Sequence, residues 1–141
     1  MSGIEIAGLV LTAFTSVIKH YREGLARFKT LINYKEELER WIRSLELQQV
    51  LFRNTLGHLI SSCAKYGPTV NQLLTNEDSY EWEKKWQKAS TELGPDFQDV
   101  LFDSYELFKR TGNELKSTLN NLKSFLDDPQ VYLLEQCRSC S

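Results

Sequence analysis

The sequence predicts an all-α protein, a four-helix-bundle-like arrangement of three long helices plus one or two short ones. Three observations carry this reading. Apolar residues recur at alternating steps of three and four along three long stretches. Strand signals are missing, with no sustained alternation of β-branched residues and no Asn-Gly or Asp-Gly hairpin. The three prolines, Pro68, Pro95 and Pro129, each fall where one helical pattern stops or another begins. At 141 residues the chain suits one domain with one core, placed at 1–128 with an unstructured tail at 129–141.

The first element is the apolar opening, GIEIAGLVLTAFTSVIKHYREG. Ile4, Ala7, Leu11, Phe14, Ile18 and Tyr21 form one stripe, and Ile6, Leu9, Val10, Ala13 and Val17 fill most of the remaining circumference. A helix apolar nearly all round is either deeply buried or in contact with lipid. Ser2 suits the N-cap, with Glu5 three residues on in capping-box spacing. Gly3 and Gly8 lower the helix's intrinsic stability, and Gly24 marks a bend or break.

A second helix then runs to about Tyr66. Leu31, Leu38, Leu45, Phe52 and Leu59 recur every seven residues, and Tyr34, Trp41, Gln48 and Thr55 follow three residues behind the first four. This is a heptad seam whose later positions turn polar, with Ile42 and Leu56 widening the buried stripe. Tyr66-Gly67-Pro68 ends it. A short helix follows through Val70, Leu73 and Leu74, then a turn at Asn76–Ser79. Ser79 is positioned to cap a helix that sets Trp82 and Trp86 four apart on one face. Gly94-Pro95-Asp96 breaks the pattern again, with Pro95 in the first turn of the last long helix. In that helix Leu101, Tyr105, Phe108, Gly112, Leu115, Leu119, Leu122 and Leu126 keep a continuous seam. Gly112 lets another helix approach closely, and Asp127-Asp128-Pro129 is the stop.

Several function classes recede at this point. The net charge of −2 offers no bulk attraction for nucleic acid. A local basic excess, Lys19, Arg22, Arg27, Lys29 and Lys35 against Glu23, fits either a solvated helix face or a weak surface for anionic lipid or an acidic partner. Three cysteines, Cys63, Cys137 and Cys140, point to free thiols in a reducing, cytoplasmic setting. The terminal CRSC has no second pair or HxxxH to complete a metal site, so no metal or cofactor is expected. His20 and His58 lack an obvious catalytic partner and no phosphate-binding loop occurs, so no catalytic residue is assigned. Trp82 and Trp86, in a charged and thinly buried segment, are the better candidates for partner contact.

The opening segment remains. A signal peptide needs cations before its apolar run, but here Lys19 and Arg22 follow it. The uncharged run Ile6–Ile18 is thirteen residues, short of the roughly 17–25 that span a bilayer. A permanent core helix and a conditional membrane helix both survive, and composition favours the first.

The phrases GIEIAGLVLTAF, KHYREGL, LELQQVLFRNTLGHLI and SYELFKRTGNELKSTLNNL resemble the N-terminal helical domain of a group of filamentous-fungal proteins, the HeLo-like class. That class is related to the HeLo domain of heterokaryon-incompatibility proteins. The resemblance spans about residues 3–126 and is weakest through 67–95. Many members carry a proline soon after the REGL phrase; Ala26-Arg27-Phe28 stands here, which makes the first two helices more continuous than a break at Gly24 implies.

The resemblance implies a cytoplasmic, cell-death-inducing bundle that oligomerises on activation and moves to the membrane. Gly3, Ile4, Ile6, Gly8, Leu9, Val10, Leu11 and Phe14 would insert, and Lys19, Arg22, Arg27 and Lys29 would hold anionic headgroups. It also implies a regulatory domain or partner protein, so the chain reads as an excised domain or a short relative. The alternative is a non-lytic interaction or oligomerisation module in which the first helix is permanent core.

Overall fold

The computed structural model describes residues 1–27, 32–63, 74 and 81–126, with backbone alone for 25–27, 32–35, 125 and 126. Four long helices are found among these residues: α1 (Gly3–Arg27), α2 (Ile32–Ser61), α3 (Trp82–Leu101) and α4 (Tyr105–Leu126). A 3₁₀ turn, Phe102–Ser104, joins the last two. The protein is an all-α helical bundle. Paired contacts fix its topology. Residues 3, 6 and 21 meet 105, 112 and 122, so α1 and α4 run parallel. Thr15 meets Gln49 and Arg22 meets Glu46, so α1 and α2 are antiparallel.

Helix α1 begins as its sequence dictates. The Ser2 hydroxyl accepts the Glu5 N–H at 3.3 Å, and the Ser2 carbonyl accepts the Ile6 N–H at 3.1 Å. Gly24 does not break the helix, which continues to Arg27. One interior glycine costs roughly 1 kcal/mol of helix propensity. The packed residues just before it, Val17, Ile18 and Tyr21, outweigh that cost.

Helix α2 buries a different seam from the one expected. Trp41, Gln48 and Thr55 are exposed, whereas Ile42, Leu45, Leu56, Ile60 and Cys63 are buried. The companions of Leu38, Leu45, Phe52 and Leu59 lie four residues on, at Ile42, Gln49, Leu56 and Cys63, rather than three. The polar member of this set, Gln49, is accommodated by donating from Nε2 to Thr15 Oγ1 at 2.9 Å. The helix ends at Ser61, short of Tyr66, where Ser62 and Cys63 donate to the carbonyls of Leu59 and Ile60 in a tightened last turn. Tyr66-Gly67-Pro68, the short helix at Val70 and Leu73, the Ser79 cap, the Asp127-Asp128-Pro129 stop and the tail lie outside the described residues. Leu74 is described and is buried.

The expected break at Gly94-Pro95 is absent. Helix α3 runs through Pro95 and ends seven residues later at Phe102, whose N–H bonds back to Gln98. An interior proline removes one hydrogen bond and costs about 3 kcal/mol. Leu93 and Phe97, both fully buried, flank Pro95 and pin the helix to the core across it. We expect Pro95→Ala to raise the unfolding free energy by about 1–2 kcal/mol, the helix gain being partly offset by a freer unfolded chain; a denaturant midpoint no higher than wild type would contradict this. The actual break, Phe102, adopts φ 44° and ψ −108°, a left-handed φ that costs a non-glycine residue on the order of 1–3 kcal/mol.

Two core clusters result, and α1 serves both. Its Ile4, Ala7 and Leu11 join Leu56, Ile60 and Cys63 of the α2 end with Trp82, Trp86, Leu93 and Phe97 of α3. Its Ile6, Val10, Phe14, Val17, Ile18 and Tyr21 join Ile42 and Leu45 of α2 and Leu119 of α4. The seam predicted for α4 is present, with Tyr105 and Leu119 buried and Phe108, Leu115 and Leu122 partly so.

Candidate functional site: the seat of helix α1

The residues assigned from sequence to membrane insertion make up a seat in which α1 is held by three other helices. Gly3, Ile4, Ile6, Gly8, Val10, Leu11 and Phe14 are buried and Leu9 is half-buried. The outward strip of α1 is narrow: Glu5, Leu9, Thr12, Ser16, Lys19 and Glu23 lie along it, and of these Thr12, Lys19 and Glu23 are exposed.

Glycines set the geometry of this seat. A Cβ on Gly8 would lie 2.1 Å from Nε1 of Trp86 and 2.5 Å from its Cδ1, so the indole occupies the space a side chain would need. That proximity has a chemical result. With no Cβ in the way, the Trp86 Nε1–H reaches the Ile4 carbonyl one turn earlier and donates to it at 3.0 Å. Gly3 meets the Tyr105 ring in the same manner, at 2.9 Å from a built Cβ, and its N–H donates to the Tyr105 hydroxyl at 2.9 Å. This satisfies one of the helix's orphan N-terminal donors. On α4, Gly112 receives the Ile6 side chain, which a Cβ there would meet at 2.6 Å. The expected close helix approach at Gly112 is thus observed, with α1 as the helix.

Two further ties secure the C-terminal half. The Tyr21 hydroxyl donates to the Leu122 carbonyl at 3.1 Å, and burial raises its pKa above the usual value, which keeps it protonated. Gln49 donates to Thr15 as described above. Tyr21, Gln49 and Tyr105 were not assigned to the site from sequence. The available signal was a polar tip on an otherwise apolar stripe, as in tyrosine where phenylalanine would pack equally well.

The remaining assignments fare differently. Arg22 pairs with Glu46 of α2 across the surface, so it is a tie between helices in the soluble fold, and a weak one. Lys19 is exposed. The Arg27 side chain and Lys29 lie outside the described residues. Trp82 and Trp86 are a correction: they are 6% and 4% exposed, stacked at 5.2 Å between centroids, and form the α3 side of the seat rather than a thinly buried surface. Burial against the α1 glycine face outweighs the charged residues around them in sequence.

Cys63 is a free, buried thiol whose pKa is raised by burial and then by the nearby Asp96 carboxylate, which disfavours the reactive thiolate. Among the described residues no group of three or more His, Cys, Asp or Glu side chains converges as a metal site. An open groove of about 450 Å³ runs beside the seat between α1 and α3, bordered by Leu9, Thr12, Trp82, Trp86, Gln87 and Thr91.

The unbroken passage of α1 through Gly24 changes the length argument. Gly3–Gly24 is 22 residues with a mean hydropathy of 1.2 over its best 18-residue window, long and apolar enough to cross a bilayer. The core helix of a soluble protein satisfies the same measure, and 61% of that window is buried here. Against protein-family models, curated proteins and solved structures, the chain has no match.

Proposed function

We propose that this bundle is a conditional membrane-acting domain: α1 is held in the seat until activation, then leaves it and enters an anionic membrane together with other copies. The observation that supports this best is the character of α1 itself. It is continuous, of bilayer-spanning length, and its residues 6–18 carry no charge. Lys19 and Arg22 would meet headgroups once the Arg22–Glu46 pair opens. The HeLo-like resemblance of the sequence points the same way and adds cell death as the biological outcome, with a regulatory partner as the trigger.

Burial favours the second reading, a non-lytic module with α1 as permanent core, because so much of α1 faces other helices. The two readings part in a vesicle-leakage experiment. Leu9 and Thr12 lie on the outward strip, so Leu9→Glu, Thr12→Glu leaves the soluble core intact. In a bilayer each carboxylate opposes insertion by roughly 2–3 kcal/mol. We expect dye release from anionic vesicles by the wild-type domain and its near-complete loss in the double variant. Equal leakage from both folded proteins would remove the insertion reading. A wild type that never leaks, with α1 amides as protected from exchange as those of α4 in the presence of lipid, would establish the module.

A further inference from the structure

The two core clusters divide the helices unequally. One ties α1, α2 and α4 together through Val10, Phe14, Val17, Ile42, Leu45 and Leu119 and contains no α3 residue. The cross-helix ties of that part, Gln49 to Thr15, Tyr21 to Leu122 and Arg22 to Glu46, also leave α3 out. The other cluster is built on α3, whose Trp82, Trp86, Ala89, Leu93 and Phe97 form a single buried stripe. That stripe rests on the N-terminal half of α1, the end of α2 and the start of α4. Helix α3 is thus an added layer: lifting it uncovers one cluster and leaves the other closed, the arrangement that permits a local, sub-global opening.

The joint at the C-terminal end of α3 is suited to that movement. Phe102 combines φ 44° with ψ −108°, close to the first central position of a type II′ turn, which glycine dominates. Its ring is 77% exposed, so no side-chain packing has to break when this backbone turns. The closed position of α3 therefore holds strain at the terminus of an element, where hinges occur, and the strain is released when the backbone relaxes.

We propose that α3 is the gate of the α1 seat: it opens as a unit about Phe102 while α1, α2 and α4 stay packed. Opening withdraws Trp86 from Gly8 and breaks its bond to the Ile4 carbonyl. Ile4, Ala7 and Leu11 lose their cover from α3, and the C-terminal half of α1 keeps its own cluster. This deepens the proposed function, on which its membrane consequence rests: the apolar end of α1 is presented to lipid before the helix gives up the rest of its seat. The opening itself is a property of the protein in water.

The test is native-state hydrogen exchange of the full chain in low denaturant without lipid, followed by vesicle leakage. The amides of α3 from Trp86 to Leu101 are expected to exchange together, with protection at least about tenfold below that of residues 112–122 of α4. Phe102→Gly removes strain from the closed state, and the freedom glycine adds to the open chain is smaller. It is therefore expected to slow α3 exchange roughly fivefold or more. Ile42→Val loosens only the cluster that α3 does not join, so protection in α4 is expected to fall roughly threefold or more while α3 exchange is unchanged. Exchange of α3 in step with residues 112–122 would overturn the gate. So would α3 exchange that Phe102→Gly leaves at the wild-type rate, or that Ile42→Val speeds as much as it speeds α4. In the leakage assay, Phe102→Gly is expected to need several-fold more protein than wild type for equal dye release. Equal release from both, with α3 exchange slowed, would show that α3 does not control entry. A wild type that releases no dye overturns the membrane reading, whereas the opening of α3 stands or falls by exchange.

Discussion

Gly8→Ala is expected to destabilise the protein by about 2–4 kcal/mol, although the same change in an unencumbered helix adds up to about 1 kcal/mol. The reversal follows from one distance. The new Cβ would sit 2.1 Å from Trp86 Nε1, and the atoms in the way belong to a rigid ring. Moving that ring breaks its hydrogen bond to the Ile4 carbonyl and disturbs its stack on Trp82. The loss of the bond alone is worth roughly 1 kcal/mol.

Gly94→Ala is the matched control. A Cβ there meets nothing within 4 Å beyond its chain neighbours, and the substitution is expected to raise stability by at most about 0.5 kcal/mol, because the Pro95 ring that follows disfavours a helical residue with a Cβ before it. Gly112→Ala should fall between the two: the obstructing atom is the Cγ2 methyl of buried, β-branched Ile6, which has little freedom to move, yet one methyl rather than an indole ring has to shift. Denaturant melts of the three variants check the order. If Gly8→Ala and Gly94→Ala shift the midpoint in the same direction, the interlock of Gly8 with Trp86 does not hold α1. In the conditional-membrane reading the unseated variant also leaks vesicles at lower protein concentration than wild type; in the permanent-core reading it only unfolds sooner.

These glycines mark where sequence reading stops. The heptad and four-three patterns are properties of one helix, so α1, α2 and the α4 seam were legible before any partner was known. A glycine's purpose depends on what fills the space it leaves. Trp86 lies 78 residues beyond Gly8, and no local pattern links them. The same limit explains Trp82 and Trp86, whose charged sequence neighbours suggested a surface while a distant glycine face buried them.

Two other differences have local signals that tertiary packing overrode. Gly94-Pro95 is a strong helix-stop pair, yet Leu93 and Phe97 anchor both sides of it in the core and the helix continues. Phe102 has no breaker residue to announce it, and there the chain turns. On α2, Trp41 gave the seam a large apolar residue at the three-step position. Selecting Ile42 instead turns Trp41 outward, where it still stacks on Tyr21 at 6.4 Å. Periodicity alone distinguishes a three-step from a four-step companion poorly when both positions hold large side chains.

Deleting residues 1–24 is expected to abolish cooperative unfolding altogether. Helix α1 packs on each of the other three helices and contributes to both core clusters, while α2, α3 and α4 touch one another far less. Its Ile4, Ile6, Val10, Leu11, Phe14, Val17, Ile18 and Tyr21 are all buried. At roughly 1.5–3 kcal/mol per large side chain these eight contribute about 12–24 kcal/mol before entropy is counted, as an upper bound. That equals or exceeds the 5–15 kcal/mol of net stability usual for a domain. The truncated chain should keep helical far-UV signal, lose near-UV signal and bind a hydrophobic dye. A synthetic peptide of residues 1–24 added in trans should restore a melting transition. A truncated chain that melts cooperatively near the wild-type temperature would show that α2–α4 form a core of their own. The expected result constrains any membrane role: α1 cannot simply swing out into water, because the surface it uncovers costs more than the fold can supply. Its exit has to be coupled to lipid that receives its apolar faces and to other protomers that cover what it leaves behind. Activation in the proposed function is therefore a concerted exchange of partners, with protein concentration at the membrane as one of its controlling variables.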